Sequence, residues 1–245
     1  MPRKTSIGVD FSRAIEMVLT PLADETGAAE MCAYLRGRFQ YFGIPTPRRR
    51  AAVKPLIRSF APVNPVTLRA AASALWQMPQ RECQYVAADL LSGHCAALTI
   101  DDLPWLLELA QKKSWWDSVD ALVKVVGKIV RVAGAKGRRE MDRAVRAENF
   151  WVRRIAMLHQ LGWRGDTDVA RLFRYADLLA PEKEFFIRKA IGWALRDYAW
   201  HDWRAVDSYL KTARERLSPL TCREAMKNFP RPAGRTRVTL QPRSV

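Results

Sequence analysis

Three pairs of adjacent aromatic residues recur at a fixed interval. Trp115-Trp116, Phe150-Trp151 and Phe185-Phe186 are 35 residues apart, since 150 − 115 = 35 and 185 − 150 = 35. Each pair opens a stretch with helical periodicity, and a second helical stretch fits between successive openings. A two-helix unit of this length cannot bury its apolar faces alone, so each unit must stack on its neighbours. The expected fold is therefore all-α: a curved, HEAT-like helical-repeat solenoid with a concave basic groove. The signature residues of the tetratricopeptide class are absent. Arg81-Glu82-Cys83-Gln84-Tyr85 offers a looser opening for an earlier unit.

Helices are expected over residues 11–23, 27–40, 48–60, 65–77, 80–98, 101–112, 114–133, 137–147, 149–162, 167–179, 183–199, 203–216 and 219–228. Glycine and proline punctuate them at 43–47, 62–65, 134, 162–165, 181 and 230. No stretch alternates as a half-buried strand would. With 245 residues and 49% hydrophobic content, a sizeable core is available. Residues 1–230 read as a single repeat domain. Residues 231–245 hold four arginines and no acid, and read as a basic, disordered tail.

Charge narrows the partner. The formal balance is +16, from 41 Lys and Arg against 25 Asp and Glu. So basic a chain suits a polyanion, nucleic acid foremost. Cys32, Cys83, Cys95 and Cys222 form no metal-binding run, and neither do His94, His159 and His201. No metal or other cofactor is expected, and the thiols read as reduced and mostly buried. No signal peptide is visible or expected, and no apolar run is long enough to span a membrane. A cytoplasmic location, the bacterial cytosol or nucleoid, is expected. No dimerisation signal appears, so a monomer is expected.

The helix opening at 114 carries the sharpest anomaly. Ser114 is placed to cap it, and Asp117 and Asp120 suit its dipole. Trp115, Val119, Leu122, Val126 and Ile129 form one apolar stripe. Trp116 and Asp120, four residues apart, share a different face. The plain alternative is a Trp in a second interface and an Asp120–Lys124 pair. On the helix from 183, Ile187, Ile191, Ala194 and Tyr198 make the stripe, while Lys189, Trp193 and Arg196 lie opposite. The alternative there is a covered Trp with arginine stacked on it. On the middle helix Arg154 borders the stripe of Trp151, Ile155 and Leu158, and Arg153 lies outside it. Arg48-Arg49-Arg50, Lys54 and Arg58 suit phosphate contact. Aromatic and basic residues interleaved on three recurring helices suit a phosphate backbone with something flat between the phosphates.

These segments resemble the AlkD family of DNA alkylation repair glycosylases. The resemblance rests on Lys113–Asp120, Asn149–Arg154, Lys183–Arg196, Tyr34–Arg50 with Gly43-Ile44-Pro45-Thr46-Pro47, and Ser218–Ala225. It covers roughly residues 25–228 in order, and the HEAT-like fold it implies agrees with the 35-residue period. It implies excision of cationic N3- and N7-alkylated purines, 3-methyladenine and 7-methylguanine among them, from duplex DNA for base excision repair. Tolerance of bulky adducts follows, because the family captures the lesion through the backbone without base flipping. No cofactor is implied. By resemblance Asp120 is the catalytic carboxylate, and Trp116 and Trp193 wall the lesion's deoxyribose. Tyr34 contacts the lesion's surroundings, and Arg154 and Arg196 hold phosphates. Lys189, Thr46 and Arg50 complete the expected DNA contacts. Pro45 departs from the polar residue some members carry, and the C-terminal tail lies outside the shared pattern.

The chemistry suits those residues. A cationic alkylpurine leaves neutral, so no general acid is needed. Positive charge develops on the sugar, as in glycoside hydrolysis. One ionised carboxylate stabilises that cation, and indole faces add cation–π contact. Two other uses of such a stack remain: a non-catalytic HEAT-repeat nucleic-acid-binding module, and a protein scaffold. The charge and the Trp and Arg faces disfavour the scaffold. Asp120, which phosphate would repel, disfavours the binding-only module.

Overall fold

The computed structural model describes the backbone of residues 4–60 and 64–229, and side chains from residue 8 onward. The basic segment 231–245 lies outside the described residues. Among the described residues twelve α-helices run in order: α1 (Lys4–Leu19), α2 (Glu25–Tyr34), α3 (Thr46–Arg58), α4 (Pro65–Gln77), α5 (Arg81–Gly93), α6 (Leu103–Leu109), α7 (Trp116–Ala133), α8 (Ala135–Ala144), α9 (Phe150–Leu158), α10 (Val169–Leu179), α11 (Phe185–Ala213) and α12 (Pro219–Ala225). Among the described residues no strand forms, and Gln40 and Gln80 make only an isolated bridge.

Local chemistry sets the boundaries. Asp24, Asn64, Asn149, Asp168, Glu184 and Ser218 each accept an N–H of the first turn they precede. Ser114 does not cap α7, contrary to expectation. Its hydroxyl donates to Ala110 O at 2.9 Å, and Trp115 occupies the N-cap in an extended conformation. The helix expected to reach residue 40 stops at Tyr34, because Arg36 and Gly37 turn to φ +61° and +71°. Two helices expected at 183–199 and 203–216 are joined in α11. Asp202 breaks the run at φ −141°, ψ 87°, and its carboxylate accepts the Ala205 N–H at 3.0 Å, restarting the helix.

The repeat is visible as packing. Trp115, Trp151 and Phe186 meet pairwise with ring centroids 5.0–6.0 Å apart, an aromatic spine through three successive units. Val119, Leu122, Val126 and Ile129 are buried as the stripe predicts. Gly127 lets α7 approach α9: a Cβ there would lie 2.3 Å from His159 O. At the far end of these helices, Arg131 pairs with Asp166, and Gly162 N–H bonds Asp197 at 2.8 Å. With their starts joined by the spine and their later halves joined by the 162–166 loop, α7, α9 and α11 lie side by side in parallel.

Candidate active site and nucleic-acid interface

The α7 face that carries Trp116 and Asp120 is set by two arginines from neighbouring units. Arg81 of α5, fully buried, donates to Asp117 at 2.6 and 2.9 Å, to Lys113 O at 2.7 Å and to Ser118 Oγ at 2.8 Å. Tyr85 O–H adds a third bond to Asp117 at 2.5 Å. Burial, then the Asp117 charge, pushes the Tyr85 phenol up, and burial takes Tyr41 to about 12, so both stay protonated donors. One turn along, Asp120 accepts from Arg154 of α9 through Nε and Nη2, both at 2.8 Å. The remaining Nη1 donates to Phe186 O at 2.6 Å, tying α11 into the same contact. The Asp120 side chain keeps 15% of its surface open while Arg154 keeps 4%. Burial raises the Asp120 pKa, opposed by the Arg154 bond and charge, and Asp117 raises it further. Trp193 of α11 lies with its ring centroid 5.9 Å from the Arg154 guanidinium carbon. Asp120, Arg154 and Trp193 thus form one chain of contacts across three helices, and Trp116 stands one turn before Asp120 on α7.

The resemblance assigns Arg154 to a phosphate; in the structure its partner is Asp120. Arg154 is buried, and three of its five N–H groups go to Asp120 and the Phe186 carbonyl. Asp120 does not pair with Lys124. Arg153 pairs with Glu182 at 2.7 Å and donates to Ala147 O and Glu148 O. Lys189 and Arg196 both reach Glu224 of α12, at 2.8 and 2.9 Å. Burial alone would raise the Glu224 pKa, but Lys189 and Lys227 hold it down at about 2.

A second neighbourhood borders Trp116. Tyr34, 74% exposed at the end of α2, sits edge-on to Trp116 at 6.0 Å. Thr46, Arg50 and Trp116 line a cleft of about 600 Å³ whose floor holds Tyr41 and Tyr85. The turn leading there is fixed by buried Glu82, which accepts the Phe42, Gly43 and Ile44 N–H groups at 2.9–3.2 Å. Gly43 is required in it, with φ +86° and no room for a Cβ. Arg50 is exposed and bound to Asp89 at 3.2 Å. Arg49 is not a surface contact: it is buried against Asp89 at 2.9 Å with its guanidinium 4.9 Å from the Tyr85 ring. Asp120 and Trp193 lie outside the residues lining this cleft.

The model of one protein family, DNA alkylation repair enzyme, matches residues 15–229. The chain belongs to the DNA alkylation repair enzyme family. A solved structure described as a predicted DNA alkylation repair enzyme from Enterococcus faecalis is similar across 84% of this chain and 96% of its own. The two share 33% identity, with a TM-score of 0.77. No curated protein sequence matches the chain. Membership carries a role in alkylated-DNA repair, and the all-helical fold is that of a DNA alkylation repair enzyme. Among the described residues no helix is long and apolar enough to cross a membrane, and no group of three metal-ligating side chains forms. The cysteines are free, Cys83 and Cys95 buried and Cys32 and Cys222 half-buried.

Sequence reasoning missed Arg81, Glu82 and Glu224. A signal was available. The 35-residue interval that relates the aromatic pairs also relates the partners Arg81–Asp117 and Asp120–Arg154, separated by 36 and 34 residues.

Proposed function

We propose that this family member hydrolyses the N-glycosidic bond of cationic N3- and N7-alkylated purines in duplex DNA, on the concave face of a HEAT-like stack. The observation that carries the reading is Asp120: a carboxylate gripped by Arg154 and otherwise unbonded, one turn along α7 from Trp116, with Trp193 beside the same Arg154 guanidinium. A cation about 4 Å from the carboxylate, at an effective dielectric near 20, gains roughly 4 kcal/mol. Arg154 sits behind the carboxylate, about 8 Å from that cation, and returns roughly 2 kcal/mol of repulsion. The pair as a whole therefore still favours a cationic sugar by about 2 kcal/mol. The Trp116 and Trp193 faces add about 0.5–2 kcal/mol each.

Water attacks the anomeric carbon as the C–N bond breaks. Its electron pair leaves with the purine, neutralising it, and the water's proton passes to solvent or Asp120. The base leaves without entering a closed protein pocket, because Asp120 and Trp193 stand outside the cleft beside Trp116. A complex with the damaged base sequestered in a protein cavity would overturn that point. Tyr34, Thr46, Arg50, Lys189 and Arg196 serve the duplex around the lesion, the last two from their anchorage on Glu224. The protein acts as a monomer in the bacterial cytosol, without metal or cofactor.

The test is release of 7-methylguanine from methylated duplex by wild type and Asp120→Asn. The variant loses the whole carboxylate attraction and leaves Arg154 facing the cation, so release falls about a thousandfold. Binding to DNA is kept or strengthened. Equal release would remove Asp120 from its role. Binding without release by wild type would favour the non-catalytic module.

A further inference from the structure

The regular part of α11 exposes a narrow arc. At about 100° per residue, Lys189, Arg196, Asp197 and Trp200 all fall within about 60° of Trp193. Trp200 lies two turns beyond Trp193, about 20° around the helix and about 10 Å along it. Its indole is 75% exposed. It borders a cleft of about 530 Å³ lined also by Gly162, Arg164, Asp197 and His201. The Asp197 carboxylate is taken by the Gly162 N–H. Arg164 stands at φ +53°, in the left-handed region, and is exposed. On α7, Lys124 and Lys128 follow Asp120 at one and two turns and are exposed. Among the described residues, none of Lys124, Lys128 and Arg164 has an ion-pair partner. Arg164 shares the Trp200 cleft, and because α7, α9 and α11 run in parallel, Lys124 and Lys128 lie on the later turns of α7 as Trp200 does on α11.

We propose that the Trp200 cleft is a second DNA contact. Trp200 packs against the sugar–phosphate backbone of the flanking duplex, and Lys124, Lys128 and Arg164 take neighbouring phosphates. Standing about 10 Å along α11 from Trp193, Trp200 would meet duplex that flanks the lesion rather than the lesion itself. An exposed indole beside the unpaired Arg164, on the face that already holds Trp193 and with two more unpaired cations on α7, matches a polyanion better than an apolar protein partner. The inference rests on duplex DNA being the substrate, and its test separates the two.

The measurement is the Kd for 7-methylguanine duplexes, with single-turnover release at saturation, for wild type, Trp200→Ala, Trp200→Phe and Lys124→Ala/Lys128→Ala. One duplex has long flanks; two others end two base pairs from the lesion on one side or the other. Trp200→Ala is expected to weaken binding to the long duplex about tenfold, about 1.4 kcal/mol. Saturated release and thermal midpoint stay unchanged, and Trp200→Phe keeps most of the affinity. The double lysine variant lowers the salt slope by about 2. On one shortened duplex, wild type drops to the variant's affinity and the mutation has no further effect. Wild-type affinity of Trp200→Ala for every duplex overturns the proposal. Absence of release by wild type, with the Trp200 effect on binding intact, would sink the glycosylase reading alone.

Discussion

Asp117 and Asp120 stand one turn apart on α7, and each takes two bonds from an arginine of an adjoining unit. Arg81 reaches forward from α5, and Arg154 reaches back from α9. The geometry is the same and the acceptors differ. Asp117 has a third bond from Tyr85, and its arginine also donates to Lys113 O and Ser118 and stacks 3.8 Å from the Phe39 ring. Asp120 has Arg154 and nothing more. One motif thus serves as a clamp where the carboxylate is filled, and leaves a usable anion where it is not. The filled pair also anchors the open one, since it fixes the first turn of the helix that carries both.

The first way to break the comparison is Arg81→Met. A buried carboxylate that loses its only cation is strongly destabilising, about 3–5 kcal/mol. Urea unfolding should show that loss, with both excision and binding falling in proportion to the folded fraction. A variant as stable as wild type would mean the Arg81–Asp117 contact is no clamp.

Much of this architecture is legible in the sequence, and the missing parts share a cause. The aromatic interval gives the stack, because Trp115, Trp151 and Phe186 must meet if units pack on one another. Asn64 before Pro65 gives α4 its ends as expected, Pro65–Gln77. Trp116 and Asp120 share a face because helix geometry is local. Which arginine meets which acid is not local. Arg154 and Arg196 look alike in a helical projection, yet one is buried under Asp120 and the other tied to Glu224. Ser114 fails as a cap because extended Trp115 takes the N-cap position, leaving Ser114 one residue too early with its hydroxyl on Ala110 O. Arg49 lies within a run that reads as surface, but only its neighbours face solvent.

A second prediction concerns acid, where α7's contact with α9 matters. His159, whose carbonyl presses on Gly127, is buried, with Nδ1 2.6 Å from Ala156 O and Nε2 unpartnered. Burial lowers its pKa to about 4. The unfolded chain therefore binds more protons than the folded one between about 6.5 and 4. Stability is full above that window and is lost as pH falls through it, by about 3 kcal/mol. His159→Asn, which keeps a donor for Ala156 O, should flatten that part of the stability–pH curve measured by chemical unfolding. An unchanged slope would place the acid sensitivity elsewhere. Asp120 works in the opposite sense. Its pKa is raised on folding, so its ionisation above that pKa costs stability.

Arg154→Gln tests the open pair, with the smallest expected effect on rate. Glutamine can still donate one bond to Asp120, so the stability loss should be about 1–2 kcal/mol, below that of Arg81→Met. Removing the guanidinium removes what opposes burial at Asp120, so the carboxyl's pKa moves further up. The proposed reaction uses the ionised form, so the acid limb of single-turnover release should shift to higher pH. Measured in a His159→Asn background, that limb is not confused with acid unfolding. Above the limb, the loss of orientation is offset by removal of the repulsion from Arg154. Release there should fall less than about tenfold, against about a thousandfold for Asp120→Asn. Arg154→Lys should bring the limb back toward wild type, since a cation alone restores the opposing charge. A limb that does not move, with duplex binding sharply weakened, would give Arg154 to a phosphate rather than to Asp120, and the two carboxylates of α7 would no longer be variations on one construction.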